Sequence, residues 1–312
     1  VIEMNTKVTI GLCVKNASCT IKFAFNSIAT QDYPHEFLKL VIVDNGSIDN
    51  TLSLALEFAK QTDIRTLVVS SKGKGLGASR QMAVDNAEGD YIVWVDDDYI
   101  LQKDFIRKQT EFMDKNPNVG AARGLHIQNS SSTLVGSLAI AGFVLPSWNL
   151  PNPETIGTGG AIFRLKAIER VRGFDIQIKG AGEDQDISQR IRESGWPLAT
   201  NVSVGVLKKK QGETTLRSLW KHQIWYGYGN HFLFHKFKNQ KMLLDYNPPY
   251  ALLYGFITSK RIYHVTKKKN VFFFTILYPF IKTAQFLGFI RAHLDGYGHV
   301  TAVKTKPQTY KR

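Results

Sequence analysis

Acidic residues almost vanish from the last third of this 312-residue chain. Residues 201–312 hold three Asp/Glu against 19 Lys/Arg, a net of +16, whereas residues 1–200 hold 23 against 21, a net of −2. A near-neutral front and a strongly basic tail imply two jobs. The tail's partner is expected to be anionic: nucleic acid, lipid headgroups or a phosphorylated substrate. Cysteine is also scarce. Cys13 and Cys19 are too few for a disulfide framework or a zinc site. Reduced, buried thiols and a cytoplasmic setting are expected instead. Val1 to Thr9 lacks an apolar core of secretory-leader length, so no leader is expected there. There is no internal repeat and no low-complexity tract. Val271–Ile290 has the length of a membrane span, but Pro279, Lys282 and Gln285 interrupt it. A core helix, a helix lying in the membrane interface and a true span all remain open, with the interfacial helix favoured by the basic residues flanking Phe and Leu.

What is present is an alternation. Apolar runs at Val8–Val14, Leu40–Val43, Thr66–Val69 and Tyr91–Val95 read as strands. Helical patterns over about 17–30, 49–61 and 78–86 separate them. This β-α-β order predicts a mostly parallel, doubly wound sheet flanked by helices, an α/β fold. Further helices are expected near 103–115 and from Gly182 to Ser194, and a further strand near 119–127. The Ser/Asn/Gly/Pro-rich run from Asn129 to Thr158 reads as a flexible or lid-like segment. The last third is aromatic and basic from Leu216 to Phe237, then apolar from Pro248 to Thr258. The hydrophobic content of 43% suffices for one large domain or two smaller ones.

In such a sheet the carboxyl ends of parallel strands share one edge, where ligands bind. Asn16, Asp44, Lys74 with Arg80, and Asp96-Asp97-Asp98 are therefore expected to line one crevice. Strand alternation predicts Asp96 and Asp98 on one side and Asp97 on the other. Paired carboxylates there suit a hard divalent cation, although an acidic triplet is also consistent with a solvated turn. Gly73-x-Gly75-x-Gly77, aided by Lys74 and Arg80, could cradle the phosphates of a sugar nucleotide. It lacks the dinucleotide-fold spacing, and a plain glycine-rich turn is the alternative. Asp44-Asn45-Gly46-Ser47 is a strong turn signal, while the Asp44 carboxylate could read a base N–H. Gly159 and Gly160 open a strand that permits close backbone approach to a ligand. Glu183-Asp184 supplies a candidate general base, or simply an acidic first helical turn.

These stretches resemble the family-2 glycosyltransferases of GT-A fold. Val43 to Thr51 is similar to the family's VDDGSxDxT stretch, Gly75 with Arg80 to its G-then-AR segment, and Gly89 to Asp98 to the strand bearing its DXD motif. Gly159–Arg164, Gly173-Phe174-Asp175 and Glu183–Asp186 resemble its acceptor half. The likeness runs over about residues 7–195. It implies a hexosyltransferase-type, inverting transfer from a UDP- or GDP-sugar. Asp44 would read the base, Asp96 the ribose or metal, and Asp98 the metal, with Mn²⁺ or Mg²⁺ as cofactor. Asp184 would be the catalytic base. Implied acceptors are a glycan or a polyprenyl or other lipid-linked molecule. Gln223-Ile224-Trp225 lacks the Arg of the processive members' Gln-x-x-Arg-Trp, so transfer of a single sugar is expected, and Trp220, His222 and Trp225 would contact the acceptor or diphosphate or else pack in a core. The implied organisation is a catalytic domain over 1–212, with a nucleotide half (1–100) and an acceptor half (101–212), followed by a helical basic region over 213–312. That region would hold the enzyme peripherally on the anionic, cytoplasmic face of a membrane. A nucleotidyltransferase, a nucleic-acid binder using the basic tail and a catalytically inactive adaptor are the alternatives. The acidic crevice disfavours a nucleic-acid partner.

Overall fold

The computed structural model describes residues 6–127, 133–143, 151–208, 215–238 and 240–298. The first half alternates β1 (Val8–Val14), α1 (Ile21–Ala29), β2 (Leu38–Asp44), α2 (Thr51–Gln61), β3 (Arg65–Ser70), α3 (Leu76–Asp85) and β4 (Tyr91–Val95). β1 and β4 are buried at every position. Uninterrupted apolar strands of this kind need helices on both faces. One face packs Ile10, Leu12, Leu40 and Val93 against α1, α2 and α4 (Phe105–Lys115). The other packs Val41, Val43, Ile92 and Trp94 against α3 and two later helices, α6 (Leu165–Arg170) and α7 (Glu183–Glu193).

The remaining elements are β5 (Tyr99–Leu101), β6 (Ala121–Ile127), α5 (Leu134–Phe143), β7 (Ala161–Arg164) and β8 (Leu198–Lys208). The described residues form an eight-stranded sheet in the order β3-β2-β1-β4-β7-β6-β8-β5. β1–β4 are mutually parallel, and β6 is parallel to β8. β7 runs antiparallel to both β4 and β6, and β5 antiparallel to β8. The register pairs Val14 with Asp44 and Asp44 with Ser70, so the ends of β1–β3 are level. Antiparallel β7 then feeds Thr158 and Gly159 in beside the end of β4, where the Gly160 amide donates to the Trp94 carbonyl at 3.0 Å.

Several expectations need correction. α1 begins at Ile21, because Ala17–Thr20 forms a turn in which the Thr20 amide donates to the Ala17 carbonyl. β8 was not anticipated. The strand before the acidic triplet stops at Val95, and the Tyr99 amide closes a turn on the Asp96 carbonyl at 3.1 Å. Strand alternation therefore does not govern Asp96–Asp98. The run expected to be lid-like contains α5; residues 128–132 and 144–150, and the boundary at 212/213, lie outside the described residues. Cys13 is buried as expected, but Cys19 is exposed.

The basic region is helical: α8 (Leu216–Phe237), α9 (Lys241–Leu244), α10 (Pro248–Thr266) and α11 (Phe274–Leu294). α8 and α11 cross with their backbones in contact. A Cβ on Gly227 would lie 1.8 Å from the Gln285 carbonyl oxygen, and one on Gly288 2.1 Å from that of Ile224. Across this crossing Gln285 donates to the Gln223 side chain at 2.7 Å, so both buried amides have a partner. α8 also packs on the segment before α7, through Phe232 and Leu233 on Ile178.

Candidate active site

A cavity of about 490 Å³ opens at the ends of β1 and β4. Its walls come from the Asp96–Asp98 turn, Arg80 of α3, Gly157–Gly159, the Gly182–Asp184 start of α7, Lys208 at the end of β8, and Trp225 and Tyr226 of α8. The β5–β8 pairing sets Tyr99 opposite Lys208 and so aims the lysine at the acidic turn. Lys208 Nζ stands 3.6 Å from Asp98. Gly159 is there because nothing larger fits. A Cβ on it would lie 2.6 Å from Asp96 Oδ2 and 2.9 Å from the Tyr99 ring.

Arg80 sits at the centre of the charge arrangement. It is 3% exposed, donates to Asp96 Oδ1 and to Thr158 Oγ1 at 2.7 Å each, and approaches Glu183 at 3.9 Å. Its guanidinium lies 4.8 Å from the Trp94 ring centre. Two of its buried nitrogens, Nε and Nη1, have no hydrogen-bond partner among the described residues. Burial, with Asp96 and Asp97 alongside, pushes the Asp98 carboxyl up to about 6 despite Lys208. Burial raises the pKa of Glu183 and of Asp184 too, with Arg80 working in the opposite direction on both. The cavity thus holds more carboxylate than its own cations neutralise. That surplus, built of hard oxygen donors, fits a divalent cation at Asp96 and Asp98. Burial lifts the Cys13 thiol to about 11, so it stays protonated.

The profile of the family described as Glycosyl transferase family 2 matches residues 9–172, more than half of the chain. The chain belongs to glycosyl transferase family 2. TarS of Staphylococcus aureus, a poly(ribitol-phosphate) β-N-acetylglucosaminyltransferase, is 28% identical over 101 residues, 32% of this chain and 18% of TarS. The poly-β-1,6-N-acetyl-D-glucosamine synthase of Staphylococcus epidermidis is 23% identical over 227 residues, 70% of this chain and 53% of the synthase. The chain spans about a fifth to about a half of the length of these curated relatives. Among solved structures, the mannosyltransferase PcManGT from Pyrobaculum calidifontis, in complex with GDP-Man and Mn²⁺, superposes with a TM-score of 0.68 at 17% identity. That superposition covers 94% of this chain and 88% of PcManGT, and it shows that the fold is GT-A-like with a helical C-terminal region.

In this family-2 chain the structure brings Arg80, Asp96, Asp98, Gly159 and Asp184 to one cavity. Four other expected residues do not line it. Asn16 is exposed, and its side chain accepts from the Ile48 amide at 2.9 Å. Asp44 is 2% exposed, with its carboxylate held by the Gly46 and Ser47 amides of its own turn. Its neighbour Asn45 reaches the cavity instead. Lys74 is exposed and does not line the cavity. The amides that would cradle an anion are already used: Gly75 donates to Asn45, Leu76 to the Lys179 carbonyl and Gly77 to the Ile178 carbonyl. Gly160 turns inward on Val206, where a Cβ would come within 2.6 Å. Asp97, left on the far side by strand alternation, reaches the cavity while accepting from Thr20 at 2.5 Å. Trp225 lines the cavity, Trp220 packs on Phe280, and His222 stacks beside Trp225 and Tyr226. Tyr99, Arg123, His126 and Lys208 also line it unanticipated. Reading the alternation in Val202–Val206 as a strand ending at Lys208 would have exposed the last of these.

Proposed function

We propose that this chain transfers a single sugar, with inversion, from a UDP- or GDP-sugar to a hydroxyl or phosphate acceptor. The supporting observation is the meeting, in one cavity, of the Asp96/Asp98 carboxylates, the buried Arg80 and the half-buried Asp184. A divalent cation held by Asp96 and Asp98 would neutralise charge on the diphosphate leaving group. Arg80 holds Asp96 in place and adds a fixed positive charge beside the anionic leaving group. Asp184, whose carboxyl is raised by burial, takes the proton of the acceptor hydroxyl. The acceptor oxygen bonds to the anomeric carbon as the bond to the diphosphate oxygen breaks, from the opposite side. A phosphate acceptor is already anionic, and Asp184 would then position it. The described PcManGT complex holds GDP-Man and a TarS structure holds UDP-GlcNAc, so both donors belong in the test.

Thermal shift with UDP-GlcNAc and GDP-Man, with and without Mn²⁺, is the first measurement. A Mn²⁺-dependent shift with one donor is expected, and Asp98→Ala should abolish the metal dependence. Asp184→Asn should keep donor binding and lose transfer by about 10²–10⁴-fold. Unchanged turnover in Asp184→Asn would exclude the base role, and donor binding indifferent to Mn²⁺ and to Asp98 would sink the assignment.

We also propose that α10 and α11 rest in a membrane interface. Leu253, Phe256, Ile257, Phe273, Ile276 and Leu287 are exposed, and Lys260, Arg261 and Lys267–Lys269 are interspersed with them. Lys269–Leu294 also has the length and hydropathy of a span. The interfacial position is favoured because Phe274, Leu277, Ile281, Ala284 and Ala292 are buried against protein.

A further inference from the structure

Cysteine is too scarce for a thiolate zinc site, but three histidines meet between α8 and α11. We propose that His231, His235 and His293 form a structural zinc site that clamps α8 to α11. His231 and His235 stand four apart on α8, hence on one face of the helix, and His293 comes from the last turn of α11. One ring nitrogen from each lies within 4.8 Å of the others. His235 Nε2 is 3.1 Å, and His293 Nδ1 3.3 Å, from the same His231 Nε2. Tetrahedral zinc with nitrogen at about 2.0–2.1 Å places its ligands about 3.3 Å apart. The third pair, His235 with His293, is within 4.8 Å and must close by up to about 1.5 Å when the ion binds.

Tautomer logic supports a cation at this point. His231 is fully buried, and its Nδ1 lies 2.5 Å from the Tyr297 carbonyl oxygen, to which only an N–H can donate. The proton on Nδ1 leaves a lone pair on Nε2, the arrangement that metal-bound imidazoles adopt when a carbonyl holds the other nitrogen. That single lone pair faces two neighbouring ring nitrogens. It can accept one N–H, whereas a central cation would use all three nitrogens at once. Phe289 packs edge-on to His231 at 4.7 Å and walls the inner side. The exposed His293 leaves the outer side open to a fourth ligand such as water.

The site reaches the cavity wall through Tyr297. The Tyr297 hydroxyl accepts from the Lys179 amide at 3.0 Å, and the Lys179 carbonyl accepts from the Leu76 amide at 3.1 Å. Leu76 lines the cavity. Zinc would therefore fix the helical region against the segment that backs the site.

The test uses full-length, chelator-stripped protein carrying Asp98→Ala, which removes the carboxylate site proposed above and makes the two sites separable. Zn²⁺ should bind at one equivalent and raise Tm. Co²⁺ should give the intense visible bands of a four-coordinate nitrogen site. His293→Gln and His235→Gln should each lose the cobalt bands and weaken zinc at least as much as loss of a ligand's hydrogen-bonding partner does, about 10–100-fold. His222→Gln, outside the cluster, should keep both. His293 is exposed, so His293→Gln is expected to fold, and circular dichroism checks this. Absence of the cobalt bands in the parent protein, or their survival in both variants, would overturn the site.

Discussion

Arg80 touches Asp96, Thr158 and the approach to Glu183 from a position that is 3% exposed. Removing one partner of a buried ion pair costs about 3–5 kcal/mol, because the other charge is left without compensation. Arg80→Met should therefore lower the urea unfolding free energy by that order and also loosen Asp96; a loss below about 1 kcal/mol would show that the pairing is not structural. His126 contributes one part of the pH dependence, opposite in sign to that of Asp98, whose raised carboxyl favours the folded state as pH falls. Burial, with Lys208 and Arg123 nearby, lowers its pKa to about 3. The unfolded chain binds a proton at about pH 6.5 that the folded chain refuses, so this stability is complete above pH 6.5 and is lost as pH falls towards 3. Between pH 6.5 and pH 5 the loss is about 1–2 kcal/mol. His126→Phe should flatten that slope in denaturation series at fixed pH values. At this scale the sequence picked out Arg80, Asp96, Asp98, Gly159 and Asp184, which line one cavity, but took Asp44 where Asn45 reaches it. Asp44 and Asn45 are equally polar neighbours, and what separates them is which one its own turn amides capture. The bonds to Asp44 are local, but Asn45 is held at the wall by Ser71 and Gly75 from the following loop, which no local pattern reveals.

At the scale of elements, β1–β4 were legible because their runs are apolar, whereas β8, which lies between β6 and the edge strand β5, was missed although Val202–Val206 alternates. The glycine-rich loop shows how a correct element can mislead. α3 does begin there, yet its first amides donate to Ile178 and Lys179, which lie a hundred residues further along the chain. A helix start reads as an anion site only until tertiary partners are known. The α8–α11 crossing offers the sharpest test of packing. Gly227→Ala places a methyl group against the Gln285 carbonyl, at an ideal-geometry separation of 1.8 Å. The helices would have to part, at a cost of about 1–3 kcal/mol or more. Because α8 also carries Trp225 and Tyr226 into the cavity, thermal stability and donor affinity should fall together. An unchanged Tm would mean that the crossing tolerates a wider separation.

Across the whole molecule, the charge split visible in composition becomes a division of surface. The front half builds an acidic cavity, and the basic half places cations among exposed apolar side chains on α10 and α11. Sequence showed the charge of the tail but not that α11 divides its faces, because packing on α8 and α10 decides which apolar residues are left outside. An interfacial helix draws on two separable terms, apolar burial and attraction to anionic lipid at about 1 kcal/mol per basic residue. Reversing Lys267, Lys268 and Lys269 to Glu should weaken binding to anionic vesicles by about a hundredfold or more and leave the weak binding to neutral vesicles unchanged. Leu253→Ser with Ile276→Ser should weaken binding to both. Raised salt should mimic the charge reversal, because screening reaches exposed lysines but not buried methyl groups. Point changes are the right instrument, since deleting the tail would also strip α11 from α8 and disturb the cavity wall. Co-sedimentation that ignores both salt and charge reversal would leave the exposed apolar face without a lipid partner.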